Sequence, residues 1–406
     1  MQKLGKIVIV SEHYAPDSST TAAYMTAIAR GLTAIAETLV LSGTKNSAVS
    51  AAKDDEPRVV EIDNWVPEKG ALVKRSFAIL LFSIRTFFVT FRQTSRNDMV
   101  FCVTTPFTLP FAVTLAAKLR GATAMLLIYD LYPEALEMAG LVKPGSLLTK
   151  GIRFANGFLF RVLDAIITIG RDVEPLLLRY KGVQTSKIKF IPNWTLLPIH
   201  YRALTSENPF RRPHTEKLVV GLSGNLGFTH SAKTVFETAK LLEGEPNIQF
   251  LLSGWGSGWE KLKELQAAAP LGNVTLMNPV PNSELEDFLA AADVWVIPYR
   301  RNIAGVSVPS RLYNLLAVGR PVIVAAEATS EAALIVQEEG IGWVVPPENP
   351  TELANAIRAA ASDHAATALK GRQSAIAALK YTHDRAMAGY RQVVGNVLRA
   401  GFERQT

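Results

Sequence analysis

The chain has a single cysteine, Cys102, among its 406 residues. That excludes a disulfide framework and fits a reducing compartment. No Cys/His cluster has metal-ligand spacing, so no structural metal is expected. Long apolar runs are also missing. The most apolar stretch, residues 77–91, falls short of the ~20 residues a spanning helix needs, and Arg85 interrupts it. The apolar run within residues 1–10 is too short for a signal peptide and reads as a first β-strand. No Gly-x-Gly-x-x-Gly with a downstream acid opens the chain, which leaves a dehydrogenase without its fingerprint. Acidic residues are in the minority, 36 Asp and Glu against 43 Lys and Arg, a net charge of +7. Basic residues do not run together with aromatics, so nucleic acid is not an expected partner. The surplus points instead to phosphorylated ligands or an anionic membrane surface.

What is present is alternation. Hydrophobic residues make up 48% of the chain, enough for large cores. Short β-branched runs recur between amphipathic stretches: strands at 6–10, 37–42, 59–62, 99–104, 124–129, 165–169 and 188–191, with helices at 19–32, 74–95, 107–120, 146–163 and 172–180 between them. Residues 192–216 carry four prolines and no sustained period, the mark of a connection. Alternation then restarts, with strands at 218–223, 248–253, 274–277, 294–297 and 322–326. Helices at 231–242, 259–268, 283–291, 351–361, 365–378 and 384–402 complete the pattern. This predicts an α/β protein of two Rossmann-like, doubly wound parallel-sheet domains facing across a cleft. The expected bounds are 1–197, a linker at 198–216, and 217–383, with the last helix, 384–406, packing back on the first domain.

In open α/β sheets ligands bind beyond the C-terminal ends of the strands, so the strand-to-helix turns carry the chemistry. Gly224-Asn225-Leu226-Gly227 runs on to His230, and Gly254-Trp255-Gly256 forms a second glycine-rich turn. Pro298-Tyr299-Arg300-Arg301 follows the strand at 294–297, and then comes the run from Gly305 to Val324. In that run Ser307, Pro309 and Ser310 read as helix-start chemistry, and Gly319 with Pro321 as the stop. A helix start with an arginine, Arg311, suits a diphosphate, and Asn314 lies at i+3 on the same face. Any one glycine-rich turn alone is equally well simple turn geometry. In the first half, Glu12, His13, Tyr14, Ser19 and Thr20 follow the first strand, where a plain surface loop is the alternative. Asp130 and Glu134 flank Tyr132-Pro133, where an N-cap with a first-turn acid is the alternative.

The helix at 74–96 places Phe77, Leu80, Ile84, Phe87 and Phe91 on one stripe and Lys74, Arg85, Arg92 and Arg96 on another face. Such a helix suits an anionic membrane surface. Burial of the stripe in the domain's own core is the alternative. Lys143, Lys150, Arg153 and Arg161 would add to the same surface.

Taken together, Tyr14-Ala15-Pro16, Asp130-Leu131-Tyr132-Pro133-Glu134, Ile191-Pro192-Asn193-Trp194, the two glycine-rich turns and the run from Val308 to Val322 resemble a family-4 retaining glycosyltransferase of the GT-B type. The branch resembled is the one that makes bacterial O-antigen and exopolysaccharide. The wider family carries two glutamates in the last motif where this chain has Val306 and Asn314. It also has a glycine pair where this chain has Ser18-Ser19-Thr20-Thr21. Asn314 offers a carbonyl where a carboxylate would meet ribose.

The resemblance implies metal-independent transfer of a hexosyl or N-acetylaminosugar group with retention. The donor is a nucleotide-diphosphate sugar, UDP type favoured, as substrate, with no cofactor. The acceptor is a saccharide on polyprenyl diphosphate, and the site is cytoplasmic, on the inner membrane face. Arg311, Asp130 and Glu134 are the expected catalytic residues. Gly224, Asn225, Gly227, His230, Gly254, Trp255, Gly256, Tyr299, Ser307, Val308, Ser310 and Asn314 would bind the donor, and His13, Tyr14, Ser19 and Thr20 the acceptor. A nucleotide-sugar epimerase, which would act without an acceptor, and a non-catalytic binding subunit are the competing readings.

Overall fold

The computed structural model describes residues 5–50, 56–67 and 72–403. The chain divides into two units. The first is Met1–Pro133 with Lys143–Pro192 and Asp384–Thr406; the second is Glu134–Val142 with Asn193–His383.

The first unit is built on a parallel sheet of seven strands among the described residues: β1 (Ile7–Ser11), β2 (Thr38–Ser42), β3 (Arg58–Glu61), β4 (Met99–Val103), β5 (Thr123–Ile128), β6 (Ala165–Thr168) and β7 (Ile188–Phe190). Their order is β3-β2-β1-β4-β5-β6-β7, with Ile7 of β1 opposite Thr38 on one side and Met99 on the other. β1, β2, β4, β5 and β6 are buried at every position, which is why they read as unbroken apolar runs rather than alternating ones. The helices of this half are α1 (Thr20–Thr33), α2 (Leu72–Gln93), α3 (Leu109–Leu119), α4 (Glu134–Met138), α5 (Leu147–Val162) and α6 (Glu174–Leu177); α4 is counted with the second unit.

In the second unit six parallel strands stand in the order β10-β9-β8-β11-β12-β13. They are β8 (Leu218–Asn225), β9 (Ile248–Trp255), β10 (Val274–Met277), β11 (Val294–Pro298), β12 (Val322–Ala325) and β13 (Gly342–Val345). Both orders run outward from a central pair in opposite directions, the doubly wound arrangement with its switch point at β1/β4 or β8/β11. The helices are α7 (Ala232–Leu241), α8 (Ser257–Ala268), α9 (Leu285–Ala291), α10 (Arg311–Ala317), α11 (Glu331–Glu339), α12 (Pro350–Ser362), α13 (His364–Ala378) and α14 (His383–Glu403).

The connection at 193–216 is fixed to the second unit. The Thr195 N–H donates to the Tyr381 carbonyl (3.1 Å), His200 N–H to Ala317 (3.0 Å) and Arg202 N–H to Val318 (3.3 Å). Arg211 forms a buried ion pair with Asp293 at 2.7 Å. The final helix fills the first unit: Met387, Tyr390, Val394 and Leu398 are buried, Tyr390 meets Phe101, and Arg391 Nε donates to the Gly31 carbonyl at 2.9 Å.

Two expectations about helices are corrected. α10 begins at Arg311, and Ser310, its N-cap, has helical backbone angles and makes no side-chain cap bond. Seven uncapped residues give a weak dipole, so positive charge there comes from side chains rather than from the helix end. On α2, the outward stripe is Val73, Phe77, Leu80, Ile84 and Phe88. Phe87 and Phe91 are half-buried and stack on each other at 6.2 Å, and Arg85 is tied to Asp63.

Candidate functional site

Three strand ends of the second unit, those of β8, β9 and β11, bring side chains together at its switch point. β8 and β9 stay paired to their last residues, Gly224 opposite Gly254 and Asn225 opposite Trp255. That closeness requires glycine: a Cβ on Gly254 would stand 2.4 Å from the Gly224 carbonyl oxygen. Gly256 has φ +101°, and a Cβ there would meet Asn225 Oδ1 at 2.4 Å. Gly227 accepts from the His230 N–H at 3.1 Å, closing the turn that ends at Ser231, the N-cap of α7. The turn after β8 is tied to the one after β11, since the Arg300 N–H donates to the Thr229 carbonyl (2.9 Å) and Ser231 N–H to Pro298 (2.7 Å).

This geometry gathers His230, Tyr299, Arg311 and Asn225. The His230 ring stacks on Tyr299 with centroids 4.8 Å apart, and its Nδ1 lies 3.0 Å from Thr229 Oγ1. Arg311 Nη2 donates to the Asn225 carbonyl, and the guanidinium carbon lies 3.8 Å from where a Gly224 Cβ would be. His230 Nε2 and Arg311 Nη1 are both buried and have no hydrogen-bond partner. Burial, then the neighbouring Arg311 charge, hold the His230 imidazole well below its usual range, and burial lowers the Arg311 guanidinium to about 10. A buried guanidinium N–H and a buried ring nitrogen, both without partners, are costly unless a ligand meets them.

Beside them Trp255, 51% exposed, and Gly254 open a groove of about 330 Å³ floored by Trp259, Leu276, Met277 and Asn278. Glu260 and Lys263 also line it, and the exposed Trp255 face suits a flat ring.

Other expected donor residues stand differently. Tyr299 is 1% exposed, so it supports His230 instead of facing a ligand. Asn314 has its carboxamide oxygen engaged by Leu196 N–H (3.0 Å) and Thr195 Oγ1 (3.4 Å), which ties α10 to the connection. Val308 is buried, while Ser307 and Ser310 are half-buried. Val306 is buried too, an apolar packing residue where the wider family has a carboxylate. Arg300 and Arg301 both reach Glu348, at 3.7 and 3.5 Å. Glu327 was not anticipated. Its carboxylate accepts from Asn302 N–H (2.6 Å) and Ile303 N–H (3.3 Å) and so fixes the loop that leads to Ser307. The one signal for it in the sequence is an acid just past a buried strand.

At the first unit's switch point, His13 Nδ1 lies 2.6 Å from Asp17 Oδ2 and its Nε2 lies 3.8 Å from Glu12. Glu12 also accepts from Asn64 Nδ2 (3.1 Å). Asp17, which the sequence did not single out, is held below its usual value despite burial, by hydrogen bonds from Ser19 N–H and His13. Tyr132 is raised above its usual range, mainly by burial and then by the charges of Asp130 and Glu12. The Asp130 N–H lies 3.4 Å from Thr104 Oγ1.

Two expected acceptor contacts are corrected. Tyr14 is buried, its phenol pushed up to about 12, mainly by burial. Ser19 caps α1 by accepting from Ala22 N–H (3.2 Å), while Thr20 is exposed. Of the expected catalytic residues, Arg311 and Glu134 belong to the second unit and Asp130 to the first. Glu134 opens α4.

Residues 217–363 match the family model described as Glycosyl transferases group 1. The chain is 27% identical over 367 residues to WbjE of Pseudomonas aeruginosa, named as a glycosyltransferase, covering 87% of this chain and 89% of that protein. It is 29% identical over 307 residues to WcaI of Escherichia coli K12, named as a colanic acid biosynthesis glycosyl transferase, covering 73% of this chain and 74% of that one. In structure it is similar to sucrose-phosphate synthase of Thermosynechococcus elongatus, with a TM-score of 0.78, 16% identity, and 98% and 100% of the two chains covered. It is likewise similar to HepE of Anabaena in complex with UDP, with a TM-score of 0.70, 13% identity, and the same coverage. At such identities the structural likeness speaks for the fold, two Rossmann-like units of the GT-B kind. Residues 217–363, most of the second unit, are thus a glycosyltransferase group 1 domain.

Proposed function

We propose that the chain transfers a sugar from a nucleotide-diphosphate sugar to a saccharide acceptor in bacterial cell-surface polysaccharide synthesis. The observation that carries this is the pair of buried, unpartnered nitrogens, His230 Nε2 and Arg311 Nη1, at the switch point of the group 1 domain. Breaking a sugar–diphosphate bond loads negative charge on the leaving oxygens. Donors already aimed at that place stabilise the charge without reorganising. In this reading Arg311 and His230 grip the diphosphate. Gly224 and Gly254 let backbone approach it, and the groove beside Trp255 takes the base. UDP is the favoured nucleotide, in line with HepE structures that hold UDP and UDP-glucose.

The acceptor side falls to the first unit, where His13 with Asp17 and Glu12, and Asp130, supply polar groups for a sugar hydroxyl. Transfer of the family-4 kind, with retention and attack from the leaving-group side, needs no protein nucleophile. The Arg311 charge takes the place of a metal in this scheme, with the His230 ring beside it. A polyprenyl-diphosphate carrier for the acceptor would bring the enzyme to the inner membrane face.

The test is turnover of a UDP-sugar with and without a saccharide acceptor, followed by release of UDP. Arg311→Ala is expected to cut transfer by ~10² or more, the scale for losing one such donor. Undiminished turnover in that variant, or conversion of the donor sugar with no acceptor present, would overturn the assignment.

A further inference from the structure

The faces that α2, α3 and α5 turn to solvent are apolar, the reverse of what a surface helix of a water-exposed protein shows. On α2 the exposed positions from 77 onward are Phe77, Leu80, Ile84, Phe88 and Arg92, one continuous stripe at helical spacing. On α5 they include Leu147, Gly151, Phe154, Phe158 and Arg161, with Leu147 87% and Phe154 84% exposed. α3 packs against both helices and adds Leu115 and Leu119. All three belong to one unit, and α3 packs between the other two. Folded monomers seldom leave contiguous apolar patches beyond a few hundred Å² unless something covers them.

Charge selects what covers this one. None of the three helices contains an Asp or Glu. Arg85 and Lys118 are matched by Asp63 and Asp164. Lys74, Arg75, Arg92 and Lys150 are exposed along the same helices. A second copy of this face would set these cations against their own kind. An anionic bilayer supplies both a hydrocarbon boundary for the phenylalanines and phosphate for the lysines and arginines. Among the described residues no helix is long and apolar enough to cross a membrane, so the surface lies on the bilayer.

We infer that α2, α3 and α5 together form a docking face for an anionic lipid bilayer, with Phe154 and Phe158 of α5 as anchors alongside Phe77 and Phe88 of α2. The inference draws its purpose from the proposed use of a lipid-borne acceptor, but its physical basis does not depend on that use.

Co-sedimentation of the full chain with vesicles tests it, using phosphatidylcholine alone or mixed with phosphatidylglycerol. Binding is expected to the mixed vesicles, to weaken about tenfold or more on neutral ones, and to fall as salt rises. Phe154→Ser with Phe158→Ser should lower binding by at least about tenfold, since each phenylalanine taken out of water is worth roughly that factor. Lys150→Glu should weaken binding to the mixed vesicles only. Both exposed-site variants should keep the parent melting temperature and the parent rate on a water-soluble acceptor. Loss of transfer in all forms, with vesicle binding intact, would tell against the enzyme reading and leave the surface standing. Absence of binding to anionic vesicles, equal binding by the phenylalanine variant, or a lipid-free dimer abolished by that variant would overturn the docking face.

Discussion

Burial and the Arg311 charge keep the His230 imidazole neutral below its ordinary 6.5, and that depression has a signed consequence. The unfolded chain takes up a proton on this ring near pH 6.5, while the folded chain waits for a lower pH. The ring's contribution to stability is therefore complete above 6.5 and is lost as pH falls through the window down to the depressed folded value. Melting temperatures measured across that window should decline less steeply in His230→Gln than in the parent. An identical slope would contradict the assignment. A bound diphosphate favours the imidazolium, so stabilisation by UDP should grow as pH falls. Residue identities here were only partly legible. His230 and Arg311 stood out because glycine-rich turns and a post-strand arginine mark a ligand edge. Asn314 was read as a ribose contact because its position in the motif is visible in sequence and its bond to Leu196, 118 residues away, is not.

At the scale of elements, the connection from 193 to 216 has little regular structure yet is held by paired groups. Its strongest fixture is the ion pair of Arg211 with Asp293, whose side chains are 10% and 9% exposed. Asp293 Oδ2 also accepts from the Val219 N–H at 2.7 Å, so the pair fastens the connection to the start of β8. Arg211→Ala leaves a buried carboxylate without its cation and should cost about 3–5 kcal/mol in the unfolding transition of this unit. A loss well under 1 kcal/mol would show the connection to be only draped on the surface.

Sequence made the buried strands plain, because a strand covered on both faces is a continuous apolar run. It hid α4, α11 and β13. α4 has five residues, too few to show a period. β13 is a partly exposed edge strand that opens on glycine. α11 was signalled by Ser330, which accepts from Ala333 N–H, and by Gly340 at φ +65°, but its apolar residues gave no clean stripe.

For the molecule as a whole, the chain leaves the first unit at Pro192 and returns to it at Asp384, so the first unit is completed only by α14. Ending the chain at His383 removes Met387, Tyr390, Val394 and Leu398 from its core, four buried side chains. Each large side chain lost from a core costs about 2–5 kcal/mol, which together exceeds what most domains have to spare. The truncated protein should show the first unit as an aggregating, non-cooperative component in calorimetry, while the second unit still melts cooperatively. Two intact transitions would mean α14 is dispensable.

The architecture of two doubly wound parallel sheets was legible, since it follows from strand–helix alternation. The outward apolar stripe of α2 was half legible, because a helix pattern shows that one side is apolar but not that this side faces outward. The central claim is that Arg311 and His230 form an anion grip for a nucleoside diphosphate. A titration calorimetry comparison of UDP with GDP, dTDP and ADP on the parent and on Arg311→Ala tests it most directly. The account predicts that one of these nucleotides, UDP foremost, binds the parent and loses at least about tenfold in affinity in the variant, the scale of a charge-assisted hydrogen bond. A parent that binds none of the four, or a variant that binds as tightly as the parent, would contradict it.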